Sequence, residues 1–415
     1  MKIAIVGTGI SGLVCAHLLH PRHQVTVFEA NDYIGGHTHT VSTVQGDRRY
    51  EVDTGFIVFN EPNYPNFVTL LRRLDVATQP APMSFSVRNE RSGLEYCGTN
   101  LNTVFAQRRN LLRPRFYGML REILRFNRVA KAYLQQQNAH MSLSDWLALH
   151  RFSQRFQADY LLPMGAAIWS ARPHDLLAFP ARTLLQFFDN HQLLTADAQL
   201  PWRSVKGGSE RYVQRLVAPL RQHIRLSTPV RAVERHEDHV QVRLPDDSSE
   251  RFERVILATH SDQALGLLAD PSPAERAVLG AIPYQRNEVV LHTDASLLPR
   301  SRRAWAAWNY HVPRATNGGL PTVTYNMNLL QSLDAPEPFC VTLNRSEAIA
   351  PEHVLQRFEY DHPVFNAAGV AAQRRWPSID GRRRTHFCGA YWGYGFHEDG
   401  VRSALAVCNQ LDARL

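Results

Sequence analysis

Three glycines in a GxGxxG spacing, Gly7, Gly9 and Gly12, precede a carboxylate, Glu29, near the start of the chain. Such a turn bends at its first glycine, bares backbone amides at its second and lets helix and strand pack closely at its third. Amides at the positive end of a helix bind a diphosphate. Glu29 follows Gly12 by seventeen residues, where a carboxylate accepts hydrogen bonds from both ribose hydroxyls and repels a 2′-phosphate. The spacing therefore predicts a site for FAD or NAD, and not for NADP.

The elements around this motif are those that a nucleotide site requires. Lys2 to Val6 form a short apolar run that predicts a strand, and Leu13 to Leu19 have helical periodicity. A second predicted strand, Gln24 to Phe28, ends directly before Glu29. An accidental glycine-rich turn would leave this acid unexplained, so the four elements together predict a nucleotide-binding unit.

A second glycine pair, Gly35-Gly36, follows the acid and is succeeded by His37 and Thr38. It lets the chain pass close to a diphosphate and a ribityl chain, which favours a flavin over a nicotinamide. The GxGxxG turn, Glu29 and the second glycine pair resemble the opening of the flavin amine oxidase superfamily, which includes monoamine and polyamine oxidases, protoporphyrinogen oxidase and phytoene desaturases. Members usually carry arginine after the glycine pair, where this chain has His37. The resemblance implies that the cofactor is FAD.

The C-terminal part of the chain has a predicted strand, a glycine-rich loop and a helix. Backbone amides at the start of that helix suit the diphosphate, ribityl hydroxyls and pyrimidine carbonyl of a flavin. The superfamily has Ala-Gly-Asp or Ala-Gly-Glu here, and the acid helps to fix the ribityl-diphosphate chain. In this sequence Gly389 is kept and Ala390 replaces the acid. Either Glu398 or Asp399 takes over its role, or the backbone alone is sufficient.

Three further segments resemble cofactor contacts of the superfamily. Asp53-Thr54-Gly55 matches a D-x-G that lines the flavin, and an ordinary strand end with a turn glycine explains it equally well. Lys206-Gly207-Gly208-Ser209 resembles the glycine pair that re-enters the cofactor domain. In relatives, the backbone at the place of Val230 holds the adenine, and the run at Ala258-Thr259 closes the nucleotide domain.

The residues predicted to contact the cofactor come from all these segments. They are Gly7, Gly9, Ile10, Ser11, Gly12, Glu29, Ala30, Gly35, Gly36, His37, Thr38, Asp53, Gly55, Val230, Ala258, Thr259, Gly389, Ala390, Tyr391, His397, Glu398, Asp399 and Val401. The catalytic candidates are Tyr391, Trp392, Tyr394, His397 and Lys206. The three aromatic residues form walls beside the flavin or pack the domain junction. His397 acts as a base or caps the last helix, and Lys206 is the lysine that we expect to approach the flavin. No metal site is predicted.

The predicted fold is α/β, with a Rossmann-type FAD-binding domain and a discontinuous α+β substrate domain, as in amine oxidases. Residues 1–60, 202–282 and 370–415 form the first domain, and 61–201 and 283–369 form the second. From Pro283 onward, alternating strands rich in Trp, Tyr and Asn predict the sheet of the substrate domain, arched over the flavin.

Residues 108–131 are the most basic part of the chain. They contain an amphipathic period from Arg115 onward, which predicts a helix over 114–137 that begins at Pro114. Either this helix buries one face and solvates the other, or it lies on a membrane surface and admits a lipid. No nucleic-acid-binding module is visible, so nucleic acid is not an expected partner.

The length of 415 residues indicates more than one domain. The formal net charge is +8, and because the chain has three lysines, nearly all of this excess is arginine, which suits an anionic ligand or surface. Five cysteines without a CxxC pair argue against a disulfide framework and a zinc site. We find no signal peptide before the first strand and no apolar run of the ~18 residues that a membrane span needs. We therefore expect a cytoplasmic protein, with association at the inner membrane surface as the alternative.

The segments 36–40, 101–115 and 389–399 resemble a narrower bacterial group that is similar to the oxidase-like N-terminal region of plant cyclopropane fatty acid synthases. This implies an FAD-dependent oxidoreductase that oxidises or desaturates an apolar fatty-acyl or lipid substrate by hydride transfer to flavin N5. Three alternatives stay open: an amine oxidase acting on a small amine, a non-redox flavoenzyme resembling UDP-galactopyranose mutase, and a flavin-binding partner of a lipid methyltransferase without turnover of its own. The sequence leaves open the electron acceptor, the oligomeric state and a covalent flavin link at Cys388.

Overall fold

The structure is a computed structural model that describes residues 1–136, 141–195, 200–314 and 319–415. Its strands are β1 Lys2–Val6, β2 Gln24–Phe28, β3 Thr40–Gln45, β4 Arg48–Asp53, β5 Val58–Asn60, β6 Thr78–Pro80, β7 Phe85–Asn89, β8 Leu94–Cys97, β9 Trp202–Val205, β10 Ile224–Arg225, β11 Ala232–Arg235, β12 Val240–Arg243, β13 Ser249–Phe252, β14 Arg254–Leu257, β15 Tyr284–His292, β16 Trp308–Val312, β17 Thr322–Asn326, β18 Cys340–Leu343, β19 Val354–Pro363 and β20 Thr385–Phe387.

Its α-helices are α1 Ile10–Leu19, α2 Pro65–Arg73, α3 Leu101–Val104, α4 Pro114–Leu134, α5 Leu143–Leu149, α6 Gln154–Phe156, α7 Leu162–Trp169, α8 Pro173–Leu177, α9 Ala181–Asn190, α10 Glu210–Val217, α11 Ser261–Leu267, α12 Pro273–Leu279, α13 Met327–Leu330, α14 Ala367–Gln373 and α15 His397–Gln410. A π-helical segment, Gln157–Leu161, leads into α7. Within the described ranges, no helix is both long enough and apolar enough to cross a bilayer.

A five-stranded parallel sheet organises the first domain, in the order β10-β2-β1-β14-β20. Both faces are covered, which explains why β1 is apolar throughout and not alternating. Ile3 and Ile5 pack in a core with α1, α10 and α15, whereas Ala4 and Val6 point to a second core shared with α11 and α12. Because β1 and β2 are parallel and adjacent, the turn after Val6 and the residue after Phe28 meet at the same edge of the sheet.

A seven-stranded sheet forms the second domain, in the order β19-β15-β18-β17-β16-β7-β8. Val289, Leu291 and Val341 fill a core on one face. Farther along the same face, Tyr310 and Val323 pack against a helical layer built from α4 to α9. The strands of both sheets fall within the residue ranges that the sequence assigns to the two domains, and the predicted α/β fold class is confirmed.

Local differences from the predicted elements have physical causes. Among the alternating strands predicted after Pro283, the one expected over 304–311 begins only at Trp308, because the Asn309 side chain holds a turn by accepting from the Ala306 amide at 2.9 Å and donating to the Ala306 carbonyl at 2.7 Å. Residues 224 to 234, whose sequence predicts a single strand, are divided between two sheets, as β10 and β11. Helix α4 ends at Leu134, and predicted position 137 lies outside the described residues.

Helix α2 differs from its predicted domain assignment. The boundary at residue 60 separates it from the FAD-binding domain, but its buried residues Phe67, Leu70 and Leu71 pack in the same core as α1 and α15. The chain therefore returns to the first domain after residue 60 before it enters the substrate domain.

Candidate active site

The GxGxxG turn has the geometry that its spacing predicts. Gly7 has a φ of 103°, and a Cβ on Gly12 would lie 2.1 Å from the Gly7 carbonyl oxygen, so neither position accepts a side chain. In contrast, a Cβ on Gly9 would meet nothing within 4 Å. Gly9 precedes α1, whose start has no side-chain cap. The first amides of α1 therefore face open space at the positive end of the helix.

Glu29 is buried at the edge of the sheet, directly after β2. Its carboxylate accepts hydrogen bonds from the Thr8 amide at 2.9 Å and from the Asn31 amide at 2.9 Å. The backbone of Glu29 also accepts from the Thr228 amide at 2.8 Å. This bond brings the segment that leads to Val230 to the same edge, next to the acid.

The second glycine pair contacts the first motif. Gly35 and Gly36 have φ values of 134° and 59°, and a Cβ on Gly36 would lie 3.1 Å from the Gly9 Cα. Gly55 also lies very close to the segment after the glycine pair, because a Cβ on Gly55 would lie 2.1 Å from the His37 carbonyl oxygen. The D-x-G segment therefore lies on the backbone that follows the glycine pair.

Asp53 itself joins three segments of the chain. It is fully buried and accepts hydrogen bonds from Thr40 Oγ1 at 2.6 Å and from the amide and hydroxyl of Ser209, both at 2.8 Å. Burial raises the pKa of Asp53 to about 7, although these three donors favour its ionised form. Its second oxygen has no partner among the described residues. The structure thus gives Asp53 a part in positioning the loops.

The C-terminal helix meets the first motif from the opposite side. Ser11 Oγ donates to the Gly400 carbonyl at 3.1 Å, and a Cβ on Gly400 would lie 2.8 Å from a side-chain carbon of Ile10. The Ala390 Cβ lies 3.9 Å from that Cβ position. The Gly389 amide is held by Ser403 Oγ at 2.9 Å. The starts of α1 and α15 therefore converge, while the Val401 side chain lies in the core and leaves its backbone for any ligand contact.

The structure gives Glu398 and Asp399 a different role from the predicted cofactor contact. Glu398 accepts from the amides of Asn66 and Phe67, at 3.2 and 3.0 Å, and so caps α2. Asp399 accepts from the Tyr394 amide at 2.9 Å and is paired with Arg402 at 2.7 Å. Both carboxylates therefore bind protein donors, and their predicted contact with the cofactor stays a prediction.

His397 is buried and neutral. Its Nε2 atom lies 3.0 Å from Thr38 Oγ1 and 2.9 Å from Tyr212 Oη, and its ring stacks on Phe56 with centroids 3.5 Å apart. Burial, with a smaller contribution from His37, lowers its pKa well below the usual value. This arrangement ties α15 to the segment after the glycine pair, and the ring nitrogen that could serve as a base is already hydrogen-bonded.

Histidine and tyrosine side chains from separate segments surround His37. Its ring centroid lies 5.7 Å from that of His260 and 5.5 Å from that of His362, and His260 stacks on Tyr284 at 4.6 Å. Burial lowers the pKa of His37 to about 4, and burial with the neighbouring histidines lowers that of His362 to about 3. All four side chains nevertheless keep accessible surface. Because desolvation disfavours the charged form, the three histidines are neutral at pH 7. Within the described ranges, no set of three or more His, Cys, Asp or Glu side chains could hold a metal ion.

Side chains that are desolvated but still accessible also occur where the seven-stranded sheet meets the helical layer. Burial raises the pKa of Tyr325, whose ring still keeps accessible surface and packs edge-to-face on Trp308 with centroids 5.1 Å apart. Tyr394 and Phe396, also half-buried, reach this layer from the C-terminal loop and contact Phe187 at 5.4 and 5.2 Å. The wall formed by these rings is aromatic and carries no charge.

The comparisons with known proteins agree with this geometry. The family described as flavin-containing amine oxidoreductase matches residues 10–297, more than half of the chain. The chain belongs to this family. None of the curated proteins matches it. Similar solved structures include cyclohexylamine oxidase from Brevibacterium oxydans IH-35A (17% identity, 99% of both chains covered, TM-score 0.70), a conjugated linoleic acid (CLA)-producing fatty acid isomerase from P. acnes (16% identity, 98% of both chains, TM-score 0.68) and a putative protoporphyrinogen oxidase from Exiguobacterium sp. 255-15 (14% identity, 99% of this chain and 98% of that chain, TM-score 0.69). At these identities they show a shared fold.

As a member of the flavin-containing amine oxidoreductase family, the protein is an FAD-dependent oxidoreductase. Its residues fit the cofactor, because the open space before Gly9, the contact of Gly36 with Gly9 and the buried carboxylate of Glu29 occur at one edge of the sheet. The starts of α1 and α15, with Ala258 and Thr259 behind Gly7, would hold the diphosphate. Since His37 is neutral, it does not supply the positive charge of the arginine that the superfamily usually has there.

The catalytic candidates are not all brought together. Tyr391 is buried against the Gly389 backbone, and Trp392 packs toward the parallel-sheet domain. Within the described residues, neither the Tyr391 hydroxyl nor the Trp392 indole N–H has a hydrogen-bond partner. Tyr394 alone of the three packs against the helical layer. The Lys206 side chain is exposed and is not one of the side chains around His37.

Sequence reasoning missed several residues of the histidine cluster around His37 and of the aromatic wall: His260, Tyr284, Trp308, Tyr325 and His362. His260 has a signal, because it directly follows Ala258-Thr259. His362 and Tyr284 have none, since only the antiparallel pairing of β15 with β19 brings them near His37. The cysteines are all free and buried, and Cys388 Sγ lies 3.9 Å from Cys15 Sγ.

Proposed function

We propose that this FAD-dependent oxidoreductase oxidises or desaturates an apolar substrate, a fatty-acyl chain or another lipid, by hydride transfer to flavin N5. The single observation that carries the proposal is the uncharged character of two sets of half-buried side chains, which we propose line one enclosed space. They are the neutral histidines around His37 and the aromatic rings of Trp308, Tyr325 and Tyr394, and none of these side chains is charged at pH 7. An apolar ligand gains free energy by leaving water for such a surface, whereas a charged ligand would lose its hydration.

The chain's own residues would bind, orient and desolvate the substrate. Trp308 and Tyr325 form one wall through their edge-to-face contact. Tyr394 contributes from the C-terminal loop, where the Trp169 indole N–H donates to the Tyr394 carbonyl at 3.2 Å. Bound FAD supplies the two-electron acceptor. An oxidation of this kind needs no nucleophile, which agrees with the engagement of His397 by Thr38. The resemblance to the plant synthase N-terminal region points to the same substrate class.

Oxidation of a small amine is the second candidate function. Aromatic walls also suit a neutral amine, and the family description and the similar cyclohexylamine oxidase support this alternative. The two candidates differ in the substrate that reduces the flavin, so one experiment separates them.

The test is an anaerobic titration of the purified holoprotein, with the flavin absorption band as readout. Phospholipids and free fatty acids are added in one series, and cyclohexylamine and putrescine in another. Bleaching by lipids alone supports the proposal. Bleaching by amines alone would support amine oxidation instead. No bleaching in either series would overturn both candidate functions.

A pair of variants tests the wall directly. Tyr325→Asp introduces a carboxyl into the enclosed space, and we expect reduction by lipid to be lost while the flavin spectrum is retained. Tyr325→Phe keeps the ring and is the matched control, which we expect to react at a rate within about threefold of the original protein. Equal rates for both variants would show that the substrate does not contact this wall.

A further inference from the structure

A second concave site lies on the substrate domain. It is a cavity of about 830 Å³, and five arginines contribute to its lining: Arg88, Arg108, Arg109, Arg300 and Arg314. A volume of this size is within the usual range for small-ligand sites. None of the residues that line it belongs to the predicted cofactor or substrate contacts.

The carboxylates at this cavity are already engaged. Glu95 is buried, accepts from the amides of Arg300 and Ser301 at 3.4 and 3.1 Å, and forms an ion pair with the Arg88 side chain at 3.7 Å. Glu90 is paired with the Arg88 guanidinium at 3.3 Å and accepts from the Arg314 amide, also at 3.3 Å. Glu90 also lies 3.0 Å from His311 Nε2 and 4.0 Å from the Arg345 guanidinium, so both carboxylates already have partners.

Among the described residues, the other four guanidinium groups have no carboxylate partner. Arg108 and Arg109 donate to backbone carbonyls, Arg108 to Phe105 at 3.0 Å and Arg109 to Gly93 at 2.6 Å. The side chains of Arg300 and Arg314 have no hydrogen bond or ion pair with any described residue. An excess of uncompensated guanidinium groups around a concave site is suited to a phosphate-type anion, which each group can bind bidentately.

Exposed apolar side chains flank the same cavity. Leu112 is 89% exposed and Leu101 is 77% exposed, and Leu111 and Tyr117 are also exposed. Leu111 and Leu112 belong to the short 3₁₀ helix that begins at Arg108 and so adjoin the cavity. Large leucines are rarely this exposed close together without a binding partner.

The remainder of the basic segment has a different character. Along α4, Phe116, Met119 and Phe126 are buried, and the exposed positions after the first turns are chiefly basic (Arg121, Arg128 and Lys131), with Leu124 as the one large apolar exception. This part of the helix is an ordinary core helix with a solvated basic face. The exposed apolar residues are concentrated before it and at its start, beside the arginine cavity.

We propose that this face docks on an anionic phospholipid membrane, with a lipid phosphate in the arginine cavity and Leu111 and Leu112 in the interfacial layer. Charge complementarity selects the anionic surface, and the leucines select a lipid over a nucleic acid or an acidic protein, since neither of those explains exposed leucines beside a phosphate site. The proposal does not depend on the identity of the substrate.

Co-sedimentation of the holoprotein with vesicles tests the docking surface. Vesicles of phosphatidylcholine alone are compared with vesicles containing phosphatidylglycerol. Each arginine near an anionic surface contributes about fivefold to binding, so we expect the double variant Arg300→Gln, Arg314→Gln to bind the anionic vesicles about 30-fold more weakly. We expect Leu111→Ser, Leu112→Ser to weaken binding at least 10-fold by removing apolar contact.

The double variant Arg73→Gln, Arg276→Gln is the matched control. Both arginines are exposed, lack a side-chain partner among the described residues and lie on the FAD-binding domain. The change in net charge is the same, and we expect less than a twofold effect on vesicle binding. All variants should keep the flavin spectrum, because none of these residues contacts the cofactor segments.

Other outcomes would overturn the docking proposal. Equal binding to neutral and anionic vesicles would show that the lipid phosphate has no role. An equal loss of vesicle binding in the control variant would show that the effect comes from net charge alone. Titration with inorganic phosphate identifies a site for the free anion if phosphate binds and vesicles do not. Binding of RNA by the same arginines without vesicle binding would assign the face to a nucleic acid.

Discussion

Gly36→Ala tests the contact between the two glycine motifs. Gly36 has a φ of 59°, and an added Cβ would lie 3.1 Å from the Gly9 Cα, closer than the ~3.5–4.0 Å at which two carbons pack. Gly9 must therefore move by a few tenths of an ångström, and with it the amides that precede α1. A hydrogen bond to a charged group contributes about 1.5–3 kcal/mol, so loss of one phosphate contact should weaken FAD binding by roughly 10- to 150-fold.

Gly46→Ala is a control with almost the same backbone conformation. Gly46 has a φ of 58°, and a Cβ there would meet nothing within 4 Å. Both variants should lose about 1–2 kcal/mol of unfolding free energy in the apoprotein, because alanine is strained at these dihedral angles. Denaturant titration of the apoproteins measures this shared loss, and fluorescence titration with FAD measures affinity. If the two variants bound FAD equally within twofold, the proposed approach of Gly36 to the diphosphate site would be refuted.

Glu29→Gln should weaken FAD binding at least 10-fold in the same fluorescence titration, because an amide donor would face the donors of Thr8 and Asn31. Glu398→Ala should lower the unfolding free energy by about 1–3 kcal/mol in urea, with FAD affinity kept, since it uncaps α2; a loss of FAD affinity at unchanged stability would argue against capping. Stability should also fall between pH 6.5 and pH 4, because unfolded histidines bind protons there while His37, with a folded pKa of about 4, does not. His37 alone should cost about 2 kcal/mol at pH 5 relative to pH 7.5, and a urea midpoint unchanged over this range would contradict its desolvation.

The cofactor site was largely predictable because its signals are local. Gly7, Gly9, Gly12 and Glu29 lie within one strand-turn-helix-strand unit, so their spacing along the chain almost fixes their spacing in the fold. Ser11 and Gly400 are hydrogen-bonded across most of the chain, and only the resemblance to a known family indicated that these segments converge.

Glu398 and His362 show where local signals in the sequence fail. Glu398 at the start of α15 is equally suited to a ligand and to a neighbouring helix, and the choice depends on α2, whose docking is a tertiary event. For His362, the partner is set by strand register, and a shift of one residue would turn it to the other face of its sheet. Composition and periodicity do not contain this information.

The replacement of the usual arginine by His37 affects both the binding of the cofactor and the charge of the side chains beside it. A guanidinium at this position would stay charged when buried, because its pKa exceeds 12. His37 instead is neutral, in contact with the neutral rings of His260 and His362. The charge of the diphosphate must then be balanced chiefly by the amides and dipoles at the starts of α1 and α15, which converge through Ser11 and Gly400. With His37 in place of arginine, binding of the diphosphate therefore depends chiefly on backbone amides. The same residue leaves the adjoining space uncharged, which favours an apolar substrate there.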